Sequence, residues 1–282
     1  MRLFLLPIST RRTLLYCQKL QALPSEKQQF VDKITLRAAK IWASWEKRED
    51  GWQKSVARYG NRALRRIPYE EWGLKSVPTL SARRREEELM GKEKHHLIFP
   101  ESIIPATRAP HILRTLATER ESLHRSRMVW CFVGMPITAP FALVPIIPNL
   151  PFFYLVYRAW SHYRALAGGK HLQWLISNNF FTVSPSPTLD TIYPHHPRSL
   201  SLPEELNQSD SYQSDKGPST QETLLLTQDS GRELARALKV PELQVELERA
   251  IWQVETAIRK QSEAAESSTP SSKAKQSKLE EK

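Results

Sequence analysis

The feature that most constrains this chain is an apolar segment, residues 128–157, which has thirty residues without a charge or a histidine. A helix that crosses a bilayer needs about 20 predominantly apolar residues, so the segment is long enough. The alternative is a buried core helix, and thirty uncharged residues make a poor match to one. The segment therefore predicts a membrane-associated protein with residues 128–157 in the bilayer.

Prolines determine the shape expected for this segment. It contains five, and each removes a backbone hydrogen-bond donor, which is costly in lipid. We therefore expect a hairpin: a limb over 128–144, a turn over 145–149 and a shorter limb over 150–166. The membrane segment is marked by Met128, Pro136, Pro140, Pro145, Pro148, Asn149, Pro151 and Tyr157.

Basic residues flank the segment on both sides. Positive charge marks the face from which a segment inserts, so two basic flanks favour a hairpin over a single crossing. The flanking residues are Arg120, Arg125 and Arg127 before the segment, and Arg158, Arg164 and Lys170 after it.

The stretch directly after the segment mixes aromatic and cationic side chains. In a water-soluble protein this mixture would suggest nucleic-acid contact. Next to an apolar segment it fits a membrane interface better, with rings at headgroup depth and arginines reaching phosphates. The hypothesis is contact with an anionic lipid through Arg158, Trp160, Tyr163 and Arg164. We interpret Gly168-Gly169-Lys170 as the end of the second limb.

The N-terminal segment, residues 1–25, allows two interpretations. It is basic and hydroxyl-bearing, and Glu26 is the first acidic residue, as in a mitochondrial presequence. It also carries two short apolar runs, Arg2–Ile8 and Thr13–Gln18, around a polar turn, which predict a β-hairpin. Both can hold if the segment is retained.

The rest of the chain divides by composition. Apolar residues at helical spacing over 27–63 predict a helix with a break near Glu49–Gly51, and His95–Phe99 predicts a short strand. The fold class expected is a mainly α membrane-associated protein, a helical basic domain with one Pro-rich hairpin and a disordered tail. Its regions are 26–127 (basic, helical), 128–178 (membrane hairpin with basic aromatic flank), 179–220 (Pro/Ser-rich linker), 221–260 (C-terminal helices) and 261–282 (disordered tail).

Charge and cysteine content restrict the function classes. Lys and Arg total 41 against 30 Asp and Glu, a net charge of +11, which suits nucleic acid, an anionic surface or the mitochondrial matrix. Two cysteines make no disulfide framework. The scattered histidines predict surface or loop positions, and no nucleophile or phosphate-loop motif is present. We therefore expect no enzyme activity, no cofactor and no metal.

Three stretches resemble the mitochondrial K+/H+ exchange-related family of fungal proteins. They are MRLFLLPISTRRTLLYC at 1–17, YGNRALRRIPYEEWGLKSVP at 59–78 and IPNLPFFYLVYRAWSHYRALAGGKHLQWL at 147–175. The third is the most specific, because Pro-Asn-x-Pro before an aromatic cluster and a Tyr-Arg pair is uncommon. The resemblance covers most of residues 1–260.

The resemblance implies a location in the mitochondrial inner membrane, with the soluble parts facing the matrix. It also implies a role in potassium/proton exchange and hence in matrix volume control. A single hairpin cannot form an alternating-access pathway, so we expect an accessory or regulatory component. Its partners would be the membrane, with anionic lipid, and other subunits of the exchange system, with no nucleic acid. The alternative is a structural inner-membrane scaffold without an ion-transport role.

Overall fold

The computed structural model describes residues 1–18, 37, 40–91, 95–140, 149–193 and 222–267. Within them the chain forms four strands and ten helices, in an order that mixes the two. The strands are β1 (Arg2–Pro7), β2 (Thr13–Gln18), β3 (His95–Phe99) and β4 (Phe181–Pro185). The helices are α1 (residues 40–46), α2 (Trp52–Arg65), α3 (Tyr69–Ser76), α4 (Ala82–Leu89), α5 (Ala109–Thr118), α6 (Glu121–Thr138), α7 (Leu150–Ser177), α8 (Pro187–Ile192), α9 (Gln228–Ala237) and α10 (Pro241–Ser267).

The strands form one mixed sheet in the order β2-β1-β3-β4. β1 pairs antiparallel with β2 through a tight turn, which confirms the predicted β-hairpin. β1 also pairs parallel with β3, and β3 pairs parallel with β4. The strand expected at His95–Phe99 is likewise confirmed. Whether the first residues also carry targeting information stays a prediction.

β1 lies at the centre of the fold because both of its faces are buried. Leu3 and Leu5 face one core, which is completed by α3, α5 and α7. Phe4 and Leu6 face the other core, which is completed by α8, α9 and α10. A strand that is apolar on both faces reads as a continuous run, and LFLL is such a run.

The expected fold class is wrong in its membrane part. Among the described residues, no helix combines the length and the apolar character that crossing a bilayer requires. The described parts of the apolar segment lie at the end of α6 and the start of α7, and the polar residues that follow belong to α7 as well. The described residues of the predicted hairpin thus lie mostly in two antiparallel helices of a domain that combines helices with a mixed sheet.

Other boundaries also differ from expectation. α7 continues through Gly168-Gly169-Lys170, which was interpreted as a helix end. The expected linker contains β4 and α8, and α10 extends to Ser267, into the expected tail. The predicted break in the 27–63 helix is confirmed at Gly51, whose φ is 107°. The expectations for 19–36, for Pro145 and Pro148, for most of the linker and for 268–282 lie outside the described residues.

Candidate functional site

A buried polar cluster joins α3, α6 and α7, and we call it the clasp: Glu71, His124, Arg158, Ser161 and His162. Arg158 donates to both carboxylate oxygens of Glu71, from Nη1 at 2.8 Å and from Nη2 at 3.1 Å. Ser161 Oγ donates to the same carboxylate. Glu71 is 1% exposed and Arg158 8% exposed, so the two charges compensate each other away from water.

The two histidines extend this network. Arg158 Nη2 lies 3.1 Å from His162 Nε2. Because a guanidinium can only donate, His162 Nε2 accepts and the ring proton sits on Nδ1. His162 Nδ1 lies 3.0 Å from His124 Nδ1 and donates to it. The proton of His124 is then on Nε2, which is buried and has no hydrogen-bond partner among the described residues.

The electrostatics keep the histidines neutral and the carboxylate charged. Burial lowers the pKa of His162 to about 4, and burial also lowers the pKa of His124. Burial alone would raise the pKa of Glu71, but hydrogen bonds from Arg158 and Ser161 and the charge of Arg158 lower it. Near neutral pH the clasp therefore holds one ion pair and two neutral rings.

Glu71, His124 and His162 also have the residue types of a metal triad, with one ligand atom each and all three atoms within 4.8 Å. For His162 to bind a metal through Nδ1, its proton would move to Nε2. That nitrogen would then face a second donor, Arg158 Nη2, at 3.1 Å. The guanidinium charge would also oppose a cation. The arrangement fits a hydrogen-bonded network better than a metal centre.

Helix α7 carries three of the five clasp residues because their spacing places them on one face. Arg158, Ser161 and His162 stand three and four residues apart and point toward α3. One turn and a half further along, Gly168 allows the two helices to touch. A Cβ at Gly168 would overlap the carbonyl oxygen of Leu74. The approach of α3 and α7 thus depends on both the clasp and this glycine.

Residues 128–138 of α6 and 150–163 of α7 form a helix pair that we call the apolar arm; the clasp residues Arg158, Ser161 and His162 lie at its base. The two helices are antiparallel, with Asn149 Nδ2 donating to the Thr138 carbonyl at 2.6 Å. Asn149 also accepts from Phe152 N and so begins α7. Large apolar side chains on the arm face outward: Val129, Trp130, Phe132, Val133, Ile137, Phe153, Tyr154, Val156, Trp160 and Tyr163.

Lys75 lies at the edge of the clasp. Its Nζ stands 3.5 Å from the centroid of the Trp72 ring and 3.5 Å from Tyr157 Oη. Burial lowers the pKa of Lys75 to about 8. No carboxylate of the described residues lies within ion-pair distance of Lys75; its ammonium lies against aromatic faces, and the charges of Glu71 and Glu246 stabilise it at longer range.

A second buried cluster lies further along α7. His171 Nδ1 is 2.8 Å from the Pro78 carbonyl, and its Nε2 is 3.0 Å from Glu88 Oε1. Both ring nitrogens of His171 therefore face hydrogen-bond acceptors, the Pro78 carbonyl and the Glu88 carboxylate. His95 lies nearby, and burial lowers its pKa to about 4. The prediction of surface histidines is therefore wrong for His95, His124, His162 and His171.

The structure separates the residues predicted to contact lipid. Arg158 points inward to Glu71, so it does not belong to an outward surface. Arg164 is half-buried and donates to the Lys75 carbonyl, while Trp160 and Tyr163 are exposed. Lipid contact by the outward residues stays a prediction. Of the predicted membrane residues, Pro136 lies within α6, Met128 and Tyr157 are half-buried, Asn149 is buried, and Pro140 and Pro151 are exposed.

Sequence reasoning missed Glu71, His124, Ser161 and His162. The available signal was local: Arg158 and His162 are spaced i, i+4 on one helix. Their partner Glu71 lies 87 residues before Arg158, in a different helix. Local spacing in the sequence cannot predict a contact between residues that far apart in the chain.

Comparison with known proteins places the chain in a family. The model of the family described as mitochondrial K+-H+ exchange-related matches residues 2–176. An uncharacterized protein of Schizosaccharomyces pombe, C23H3.12c, is 32% identical over 179 residues, which cover 63% of this chain and 76% of that protein. An uncharacterized protein of Saccharomyces cerevisiae, YDL183C, is 24% identical over 198 residues, which cover 62% of each chain. No solved structure matches the chain.

The matched range contains the features described above. Residues 2–176 include β1 to β3, the whole clasp and both helices of the apolar arm. Since the family model covers more than half of the 282 residues, the chain belongs to the mitochondrial K+-H+ exchange-related family.

Proposed function

We propose that the protein is an accessory component of mitochondrial potassium/proton exchange and acts by assembling with other protein chains. One observation carries this proposal: the helix pair of the apolar arm presents apolar side chains outward, while Arg158, Ser161 and His162 point inward. Surfaces of this kind mark sites of protein association. The family description supports the link to exchange.

The clasp explains how the arm can serve as such a surface. A buried ion pair adds little net stability compared with apolar packing, but it fixes geometry, because separating the charges is costly. Glu71 on α3 and Arg158 on α7 thereby fix the base of the arm against the domain. An arm held in one orientation loses less conformational freedom when it binds.

The clasp is less suited to carrying ions. Its carboxylate already accepts from Arg158 and Ser161, and its histidines are neutral near neutral pH. A proton carrier would place a group with a pKa near the working pH in a pathway. We therefore propose that the chain assists exchange without conducting potassium or protons itself. In this proposal it works at the matrix side of the inner membrane, where a protein partner holds it.

Complementation of deletion mitochondria tests the proposal. Mitochondria without the protein should recover slowly from potassium-driven swelling while their cristae remain normal. Wild-type protein should restore the recovery, and so should Trp252→Ser, which changes an exposed residue on α10. The double variant Trp130→Ser/Phe153→Ser should not restore it, although it should accumulate to the same level. Altered cristae before any change in potassium flux would contradict the proposal and favour a structural scaffold.

A further inference from the structure

The apolar arm exposes more apolar surface than a monomer usually does. Trp130 is 70% exposed, Ile137 69% and Phe153 61%. With the other outward residues, the arm presents on the order of 1,000 Å² of apolar surface, whereas the largest patch of a typical monomer is about 300–600 Å². A stable interface needs about 800 Å² from each partner. The total over the outer side of one arm is therefore of the same order as the surface that one partner contributes to a dimer interface.

We propose that the arm packs against the arm of a second copy of this chain and forms an antiparallel four-helix bundle. This inference rests on the proposed function only in taking the arm as the assembly surface. It adds that the partner is a second copy of this chain. The contact is isologous, so each arm buries its own apolar residues against the same residues of the other.

The spacing of the exposed residues fits such a bundle. On α6, Val129, Val133 and Ile137 recur every four residues. On α7, the exposed residues Phe153, Val156, Trp160 and Tyr163 recur every three or four. Stripes of this kind form the seam between helices that cross at about 20°. Within one arm, α6 and α7 already pack closely at Gly134, where a Cβ would stand 3.1 Å from Leu155 Cδ1.

Charge favours the antiparallel orientation of the two arms. Residues 128–157 carry no charge, whereas the base of the arm carries Arg127 beside two ion pairs, Arg120 with Glu70 and Arg125 with Glu121. Two arms side by side in the same direction would bring these charged bases together. In the antiparallel orientation each base lies beyond the uncharged part of the other arm. The part of the arm on α6 is about 16 Å long, which exceeds the Debye length of about 8 Å at physiological salt.

The mass of the full chain in solution, measured by analytical ultracentrifugation and light scattering, tests the inference. At about 50 μM the wild type should have twice the monomer mass of 32.6 kDa, with a Kd at or below about 1 μM. Trp130→Ser/Phe153→Ser should raise the Kd by at least about 100-fold, because two large exposed apolar side chains are lost, one near each end of the arm. The control Trp252→Ser, 50% exposed on α10, should remain dimeric.

Two results would overturn the inference: a monomeric wild type at this concentration, or an arm variant that dimerises as well as the wild type. Co-sedimentation of a monomeric chain with anionic vesicles, lost in the arm variant, would assign the surface to lipid and also overturn it. The test separates the two proposals. A dimer lost without any change in potassium flux would contradict the proposed function alone. A flux defect in the arm variant with an intact dimer would contradict the dimer alone.

Discussion

The base of the apolar arm, where α3 contacts α7, and its outer part, on α6 and α7 alone, have opposite character. At the base, Glu71 and Arg158 form a buried ion pair. In the outer part, Trp130 and Phe153 project from the protein. This inverts the usual distribution, in which charges lie outside and large apolar residues inside. The difference indicates that polar residues fix the position of the arm, while apolar residues supply its contact surface. Variants at the base and in the outer part should therefore differ in stability, and the largest losses are expected at the base.

Breaking the ion pair should have the largest effect. Arg158→Gln leaves the Glu71 carboxylate buried without its counter-charge, so the free energy of unfolding should fall by about 3–5 kcal/mol. Chemical denaturation at pH 7.5 measures it. Arg125→Gln removes an arginine of the same helix pair whose ion pair with Glu121 is exposed, and it should cost about 0.5 kcal/mol or less. Equal losses for the two variants would show that the clasp does not fix the arm.

Acidification should have the next largest effect, a loss of folding stability at the base of the arm. His162 has a pKa of about 4 in the folded protein against about 6.5 in the unfolded chain, so the unfolded chain binds more protons as pH falls. Stability should thus be retained above pH 6.5 and decrease between pH 6.5 and 4, by up to about 3 kcal/mol from this group. The lowered pKa of Glu71 acts in the same direction at lower pH.

A comparison of unfolding free energies at pH 7.5 and 5 for His162→Asn checks this assignment. The variant should lose less stability on acidification than the wild type does. His111→Gln, a change at an exposed histidine on α5, should follow the wild type. An unchanged pH dependence in His162→Asn would mean that this histidine does not carry the acid sensitivity.

Glycine-to-alanine substitutions should affect stability differently at the base and in the outer part of the arm, with free-energy changes of intermediate size. Gly168→Ala forces a Cβ onto the Leu74 carbonyl oxygen, so it should destabilise the protein by about 1–3 kcal/mol. Gly134→Ala in the arm meets only the end of the flexible Leu155 side chain. It should be neutral or stabilising by up to about 1 kcal/mol, because alanine favours a helix. Thermal unfolding of both variants measures the contrast, and the reverse order would contradict it.

The outer part of the arm should contribute least to stability. Trp130→Ser removes a side chain that is mostly in solvent, so the unfolding free energy of the monomeric chain should change by about 0.5 kcal/mol or less. Denaturation at low protein concentration excludes the effect of assembly. A loss above about 2 kcal/mol would show that Trp130 packs in the core, and the arm would then not be a free surface.

Local patterns in the sequence predicted some elements correctly. The two short apolar runs around a polar turn predicted the β1–β2 hairpin, and Gly51 marked the break before α2. The apolar run at His95–Phe99 gave β3. These elements depend on neighbours in the chain, so spacing alone is sufficient. The sheet was not predicted, because the β1–β3 and β3–β4 pairings join residues that lie more than eighty positions apart.

The sequence by itself determined that residues 128–157 are apolar and uncharged, and their prolines predicted a turn between two limbs. It also carried the family resemblance. Only the tertiary structure decided what lies at the base of that surface. Arg158 was expected at a membrane interface, but the carboxylate of Glu71 on α3 turns it inward and draws His162 and His124 into the same network. The physical reason is that the attraction between opposite charges depends on the distance between them. Folding sets that distance, and the separation of the residues along the chain does not.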